Sequence, residues 1–225
     1  MRIVLTIASF LILWSQDAVC SVVDSIQYPV LNQIDYRVYL HPAGDDTQSG
    51  DSTNPLKTFI ATIKKIDTLS NPKRGQIYAE IVLFEGTYEQ AMEQPPQLYS
   101  MNGKFLNISV RGKGAVLLDG SKLSLGAGSG MLALLGSHIS VKKVHVKYTP
   151  ANGIKFGWNY ADHIVNSHDI LVKNVEVAQT SGHGIIAGVG KVNAGAPSKF
   201  VPYAERIWFK NCFVHDAVNF GDRSK

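Results

Sequence analysis

Ile170-Leu171-Val172-Lys173-Asn174-Val175-Glu176-Val177 is the stretch on which the fold turns, because its apolar positions recur elsewhere in the chain at the same spacing. Ile139, Val141, Val144 and Val146 match Ile170, Val172, Val175 and Val177, and Ile207, Phe209, Cys212 and Val214 repeat the pattern. The steps are two, three and two. A step of two keeps side chains on one face of a strand, and a step of three marks an extra residue at a bend between two strands. Asn174 and Asn211 occupy the bend in two units, and asparagine tolerates a left-handed backbone. Lys143 stands there in the earlier unit, so the corner rule is imperfect. With Ile108 as a further start, the isoleucines are separated by 31 (108 to 139), 31 (139 to 170) and 37 (170 to 207). A near-constant period of this size predicts a solenoid of stacked turns, none of which buries its apolar side alone.

A third strand follows two of these units at equal offset. Gly153-Ile154-Lys155-Phe156 begins the same distance after Val146 as Gly184-Ile185-Ile186-Ala187 does after Val177. Three strands per turn predict a three-sided parallel helix. Alternation then points Ile154, Phe156, Ile185 and Ala187 inward, and Lys155 and Ile186 outward. An antiparallel sandwich also uses short strands, but it gives no reason for units that repeat in phase.

The 225 residues, 45% of them hydrophobic, are ample for one core, and the formal net charge of +4 is compatible with an acidic ligand without requiring one. Arg2 precedes an apolar run from Ile3 to Trp14, followed by Ser15, Gln16 and Asp17. That run is too short for the ~20 residues of a membrane span and reads as a signal peptide over 1–20, which implies a secreted protein, or a periplasmic one in a bacterium. Cleavage after Cys20 or Ser21 fits the small-residue rule. A lipid anchor on Cys20 is disfavoured by Asp17-Ala18-Val19. Cleavage before Ser21 leaves Cys212 without a disulfide partner, in the slot of Val144 and Val175, and hence a core residue.

Residues 21–106 are expected to hold an N-terminal cap and a first coil, and 107–225 the remaining coils. Tyr36 to Leu40 reads as a strand and Asp45 to Asn54 as a polar loop. Asn54-Pro55 then opens a helical stretch in which Phe59, Ile60, Ile63, Ile66 and Leu69 recur at helical spacing, ended by Asn71-Pro72. Such a helix covers the open end of a solenoid, which otherwise exposes strand edges and core.

Tyr39-Leu40-His41-Pro42-Ala43-Gly44-Asp45-Asp46, Asn54-Pro55-Leu56-Lys57-Thr58-Phe59 and Val82-Leu83-Phe84-Glu85-Gly86-Thr87-Tyr88 resemble the entry to secreted right-handed parallel β-helix proteins of the pectate-lyase-like superfamily. The stretch 170–177, with Ser181-Gly182-His183-Gly184-Ile185 after it, is similar to that superfamily's internal coil. The likeness covers residues 36 to 222. It is specific for fold and loose for activity, since the superfamily includes polysaccharide lyases, glycoside hydrolases and adhesins. The family resemblance implies substrate on the outward face of the third-strand sheet and its flanking loops. Those positions hold Lys155, Ile186 and His183, with Lys191, Lys199, Tyr203 and Arg206 in one loop and His215, Asp216, Asp222, Arg223 and Lys225 in another. After Val214 the Gly-Ile entry to a third strand is missing, so the chain reads as a fragment that stops within a coil, with an active site beyond it left open.

A lyase on a uronic acid needs a base for the proton beside the carboxylate and a cation or donor for the charge that develops. His183 or Lys155 is the candidate base, and Arg206 or Arg223 the candidate neutralising group, with Lys191 and Asp222 as further substrate contacts. The competing readings are plain: His183 as a turn imidazole capping a backbone group, Lys155 as a solvated surface cation, and His215-Asp216 as adjacent residues that diverge rather than a base with its orienter. A hydrolase needs two carboxylates facing one bond at ~5.5 or ~6.5–9.5 Å, and among Asp169, Asp216 and Asp222 no pair stands out. Asp169 reads as fixing the turn into its strand.

No cofactor is implied. Calcium is raised by Gly44 to Asp51, but Pro55 or Leu56 falls where the calcium loop requires its glutamate. No Walker loop, dinucleotide fingerprint or zinc-ligand cluster occurs, so nucleotide and nucleic-acid roles are not expected and no metal site is assigned. Asn107-Ile108-Ser109 fits a glycosylation site with its middle residue in a core strand. The expected protein is all-β, a monomer, and acts on an acidic polysaccharide by β-elimination. The alternatives are a glycan-binding or adhesive β-helix and a glycoside hydrolase with catalytic residues past the chain end.

Overall fold

A computed structural model describes residues 33–70, 76–93, 107–126, 129–160, 163–165, 167–187 and 204–217. The expected signal peptide, the Asn71-Pro72 stop and the candidates Lys191, Asp222 and Arg223 lie outside the described residues. The elements are β1 (Tyr36–Leu40), α1 (Phe59–Ser70), β2 (Tyr78–Tyr88), β3 (Met92–Glu93), β4 (Asn107–Asp119), β5 (Gly130–Leu134), β6 (Ser140–Lys147), β7 (Asn152–Phe156), β8 (Trp158–Tyr160), β9 (His163–Val165), β10 (Ser167–Thr180), β11 (Ile185–Ala187), β12 (Ala204–Lys210) and β13 (Phe213–Ala217). The protein is thus mostly β, and its two larger sheets are parallel throughout.

The larger sheet runs β1-β2-β4-β6-β10-β12, with β13 also paired to β10. Its register joins the aligned repeats: Val141 opposes Val172, Val144 opposes Val175 and Val146 opposes Val177. Five of these six valines are fully buried, and Val175 is 2% exposed. The four-stranded sheet runs β11-β7-β5-β3, and Ile185 opposes Ile154 as the equal offsets predict. Leu132 and Leu134 of β5 continue the Ile154 and Phe156 rows. β8 and β9 form an antiparallel hairpin that the periodicity gave no sign of.

The corner is where expectation and structure differ. Three separate sheets were expected, yet β10 runs unbroken for 14 residues through Asn174, so hydrogen bonding joins the first two faces into one bent sheet. The bend is local: φ is 54° at Asn174, 52° at Asn211 and 55° even at Lys143. Two further corners flank it in phase, at His138, Asp169 and Arg206 and at Tyr148, Gln179 and Asp216, all between 51° and 57°. Asn211 Nδ2 donates to Asn174 Oδ1 at 3.2 Å, so the two asparagines bond side chain to side chain across strands. Glycine is needed where turns touch. A Cβ on Gly112 would lie 1.9 Å from the Lys143 carbonyl oxygen, and one on Gly153 would lie 2.5 Å from that of Gly184.

The helix begins at Phe59, later than Asn54-Pro55. Leu56 is held beside β1, its N–H donating to Tyr39 O while its carbonyl accepts from His41 N, so the chain there is extended. Thr58 caps the helix by accepting from Ala61 N, and Asp46 accepts from Lys57 N, Thr58 N and the Thr58 hydroxyl. Gln90 reaches across to accept from Phe59 N. Phe59, Ile63 and Ile66 are buried in the same apolar cluster as Ile81, Ile108, Val141 and Val172, whereas Ile60 is 49% exposed. In β12 and β13 the core pattern meets less cover: Phe209 is 52%, Phe213 64% and Val214 46% exposed, although Phe209 opposes the buried Val172.

Candidate functional site

His183 stands at the mouth of the four-stranded sheet, two residues before β11, with its ring exposed. Its backbone N–H donates to Asn152 Oδ1 at 3.0 Å, and its Nδ1 lies 3.2 Å from the same oxygen. Asn152 is oriented independently, because its Nδ2 donates to Ser129 O at 2.8 Å. The oxygen therefore faces His183 as an acceptor, and the neutral imidazole carries its proton on Nδ1. The lone pair is left on Nε2. The bland reading had the imidazole capping a backbone group; here it is the Asn152 side chain that caps the His183 backbone N–H, and the exposed imidazole meets that same side-chain oxygen. His183 extends the register opposite Asn152, three residues and about 10 Å along the strand from Lys155.

Lys155 corrects the sequence reading. Expected as a solvent-facing cation, it is 6% exposed, with Ala133 and Ile186 as its register neighbours. All five residues of β7 are buried, so period-2 alternation marks sheet face here without marking exposure.

Asp216 gives a second correction, for it does not diverge from His215. Its positive φ breaks the alternation of the strand, and His215 Nδ1 lies 2.9 Å from Asp216 Oδ2. His215 Nε2 meets Glu176 Oε1 at 3.1 Å. Both ring nitrogens thus face carboxylate oxygens, which raises the His215 pKa, through Glu176 first and Asp216 second, and favours the imidazolium. Glu176 also receives Lys147 at 2.9 Å and His145 at 2.6 Å. These three partners, Lys147 foremost, hold its carboxyl down at about 2. His145, Lys147 and Glu176 were missed by sequence reasoning. Overlaying the repeats would have found them, since His145 opposes Glu176, while Ala178 lies between Lys147 and His215 on neighbouring strands.

Arg206 belongs to a different corner. Its Nε and Nη2 donate to the two oxygens of Asp169 at 2.8 and 3.0 Å, and His168 Nδ1 lies 2.7 Å from Asp169 Oδ2. Asp169 is held well below the usual carboxylate range, chiefly by Arg206. Expected ahead of its strand, Asp169 instead lies within β10 at a left-handed corner, and its ion pair commits the Arg206 guanidinium to that corner. His138, His168 and Asp169 bring three metal-capable atoms within 4.8 Å of one another. Arg206 already supplies a cation to that carboxylate.

The acidic loop behaves as a polar turn. Asp51 accepts from Thr53 N, Asn54 N and the hydroxyls of Ser49 and Thr53, and its carboxyl falls far below its ordinary value, with the Ser49 hydroxyl as first cause. Asp45 accepts from Thr47 in the same way. Asn107, Ile108 and Ser109 are all buried, which fits an accidental glycosylation match. No described helix is long and apolar enough to cross a membrane.

No protein-family model and no curated protein matches the chain. Among solved structures, a rhamnogalacturonan lyase is similar over 80% of this chain and 51% of its own, at 16% identity and a TM-score of 0.41. The chain spans about half the length of that lyase.

Proposed function

We propose that this chain forms a right-handed parallel β-helix that binds an acidic polysaccharide and cleaves it by β-elimination. The helix reading is supported by two all-parallel sheets in which residues 31 apart oppose each other, and by left-handed corners recurring in phase. The observation that carries the chemistry is the exposed His183 imidazole, whose Nδ1 lies against the Asn152 side-chain oxygen and leaves Nε2 for the role of base.

In the proposed reaction His183 Nε2 removes the proton beside the uronate carboxylate, the electron pair forms the new double bond, and the glycosidic oxygen leaves with a proton from water. Asn152 stabilises the imidazolium that forms, since its carbonyl oxygen accepts from Nδ1 throughout. The apolar run Ile3 to Trp14 supports export. Purified protein is incubated with pectate, alginate and glycosaminoglycans while the absorbance of the unsaturated product is followed. Turnover on one uronate polymer that disappears in His183→Ala, with circular dichroism unchanged, is the expected result. Turnover that survives His183→Ala would remove His183 from the chemistry, and a folded protein without turnover on any of these polymers would leave a binding role.

A further inference from the structure

The outward face of the larger sheet carries a row of cations that the His183 site does not use. Arg111 of β4 opposes Lys142 of β6, Lys142 opposes Lys173 of β10, and Lys173 opposes Lys210 of β12. Each alternates with inward core residues, Val110, Val141, Val172 and Phe209 standing one position before it. Four cations therefore stand in single file across four neighbouring strands, at the strand spacing of about 4.8 Å and over a span of about 14 Å.

Like charges placed directly opposite each other across a strand pair are destabilising. At Lys142 the pKa is lowered, first by burial; Glu80 pulls it up, and Lys173 and Arg111 add smaller downward contributions. Glu80 itself is shared between Arg111 and Arg37 by hydrogen bonds. Past Arg111 the register passes through Val82, which is fully buried, to Tyr39, and Tyr39 stacks on Phe84, which in turn lies under Lys113. Trp208 lies two residues before Lys210 and is partly exposed.

We infer that this row is a binding site for a linear acidic polysaccharide lying across the strands, with its carboxylates set against successive rungs and sugar rings on the flanking aromatics. A single file of cations fits one line of anions, whereas duplex nucleic acid presents two phosphate strands across a groove. Single-stranded nucleic acid is held by aromatics on which successive bases stack, and here Tyr39, Phe84 and Trp208 flank the cations rather than alternate with them. The site lies on a different sheet from His183, so it retains polymer whether or not His183 cleaves it.

The test compares wild type, Lys142→Gln/Lys173→Gln and His183→Ala by affinity electrophoresis in polygalacturonate, a neutral glucan and poly(dT), with and without added salt. Wild type and His183→Ala are expected to be retarded by polygalacturonate alone and released by salt. The double variant is expected to bind on the order of tenfold more weakly. Its melting temperature at low salt should equal or exceed that of wild type, because repulsion along the row is relieved. Adding polygalacturonate should raise the melting temperature of wild type and not that of the variant. Unchanged affinity in the double variant, equal retardation by the neutral glucan, or stronger binding to poly(dT) would overturn the assignment. Loss of turnover without loss of retardation in His183→Ala separates this site from the catalytic one.

Discussion

Two imidazoles show how the same side chain is turned to opposite chemistry by its neighbours. His183 has one ring nitrogen on a neutral amide oxygen, while His215 has both on carboxylates. The first meets a neutral acceptor, and the second is driven toward imidazolium. Glu176→Gln should therefore lower the His215 pKa toward its ordinary value near 6.5, which a proton NMR titration of the ring would read. The same pair sets a pH window. Glu176, with its pKa depressed to about 2, contributes stability that is present above its ordinary value of 4.5 and lost as pH falls from there toward 2. His215, with its pKa raised, contributes stability that is complete below 6.5 and lost as pH rises through its folded value. The difference in melting temperature between wild type and Glu176→Gln should thus be largest between about pH 4.5 and 6.5. A difference that is flat from pH 3 to 9 would show that the pair is not linked to folding.

Among the elements, the corners do work that the flat strands cannot. A left-handed residue every fifth position bends β10 without breaking its hydrogen bonds, and glycine, asparagine and aspartate take that backbone more cheaply than other residues. Lys143 does not, so Lys143→Asn should stabilise the fold by about 1 kcal/mol, both by relieving the backbone and by extending the bonded pair formed by Asn174 and Asn211. A chemical denaturation midpoint would register it, and an unchanged or lower midpoint would count against the strained-corner account. Gly112→Ala lies at the opposite extreme. Its methyl group would fall on the Lys143 carbonyl, and backbone must move, at a cost of about 1–3 kcal/mol or more. A drop in melting temperature of several degrees is expected, where an ordinary exposed strand position would gain from the same substitution.

Across the whole molecule, helix and strands share one core. Ile63 of α1 sits in the same buried cluster as Ile108 and Val172, so Ile63→Ala should cost about 2–5 kcal/mol and lower the melting of the strand signal in far-ultraviolet circular dichroism. Loss of the helical signal first, with strand melting unmoved, would mean that the helix is merely appended. Most of this architecture was legible in the sequence because it is periodic: a step of two fixes which residues share a face, and an offset of 31 fixes which residues oppose one another, as the Val141 and Val172 pairing bears out. The Asn174 corner was legible for the same reason, since asparagine answers a local backbone demand. The corners at His138, Asp169 and Arg206 were not, because three different residue types stand at one corner position and two of them, His and Asp, tolerate positive φ only as a weak tendency. The helix start was displaced because Leu56 is bonded to β1, a partner far off in the chain. The site divides along the same line. Sequence placed His183 at a turn, where it lies, and His215 and Asp216 at another, where the structure has the strand β13 instead. Only the tertiary structure decided their neighbours: Asn152 against His183, Glu176 against His215, and burial around Lys155 where alternation placed a solvated cation. Periodicity assigns a residue to a face. Its protonation and exposure depend on atoms supplied by other turns of the chain, and stacking alone brings those within reach.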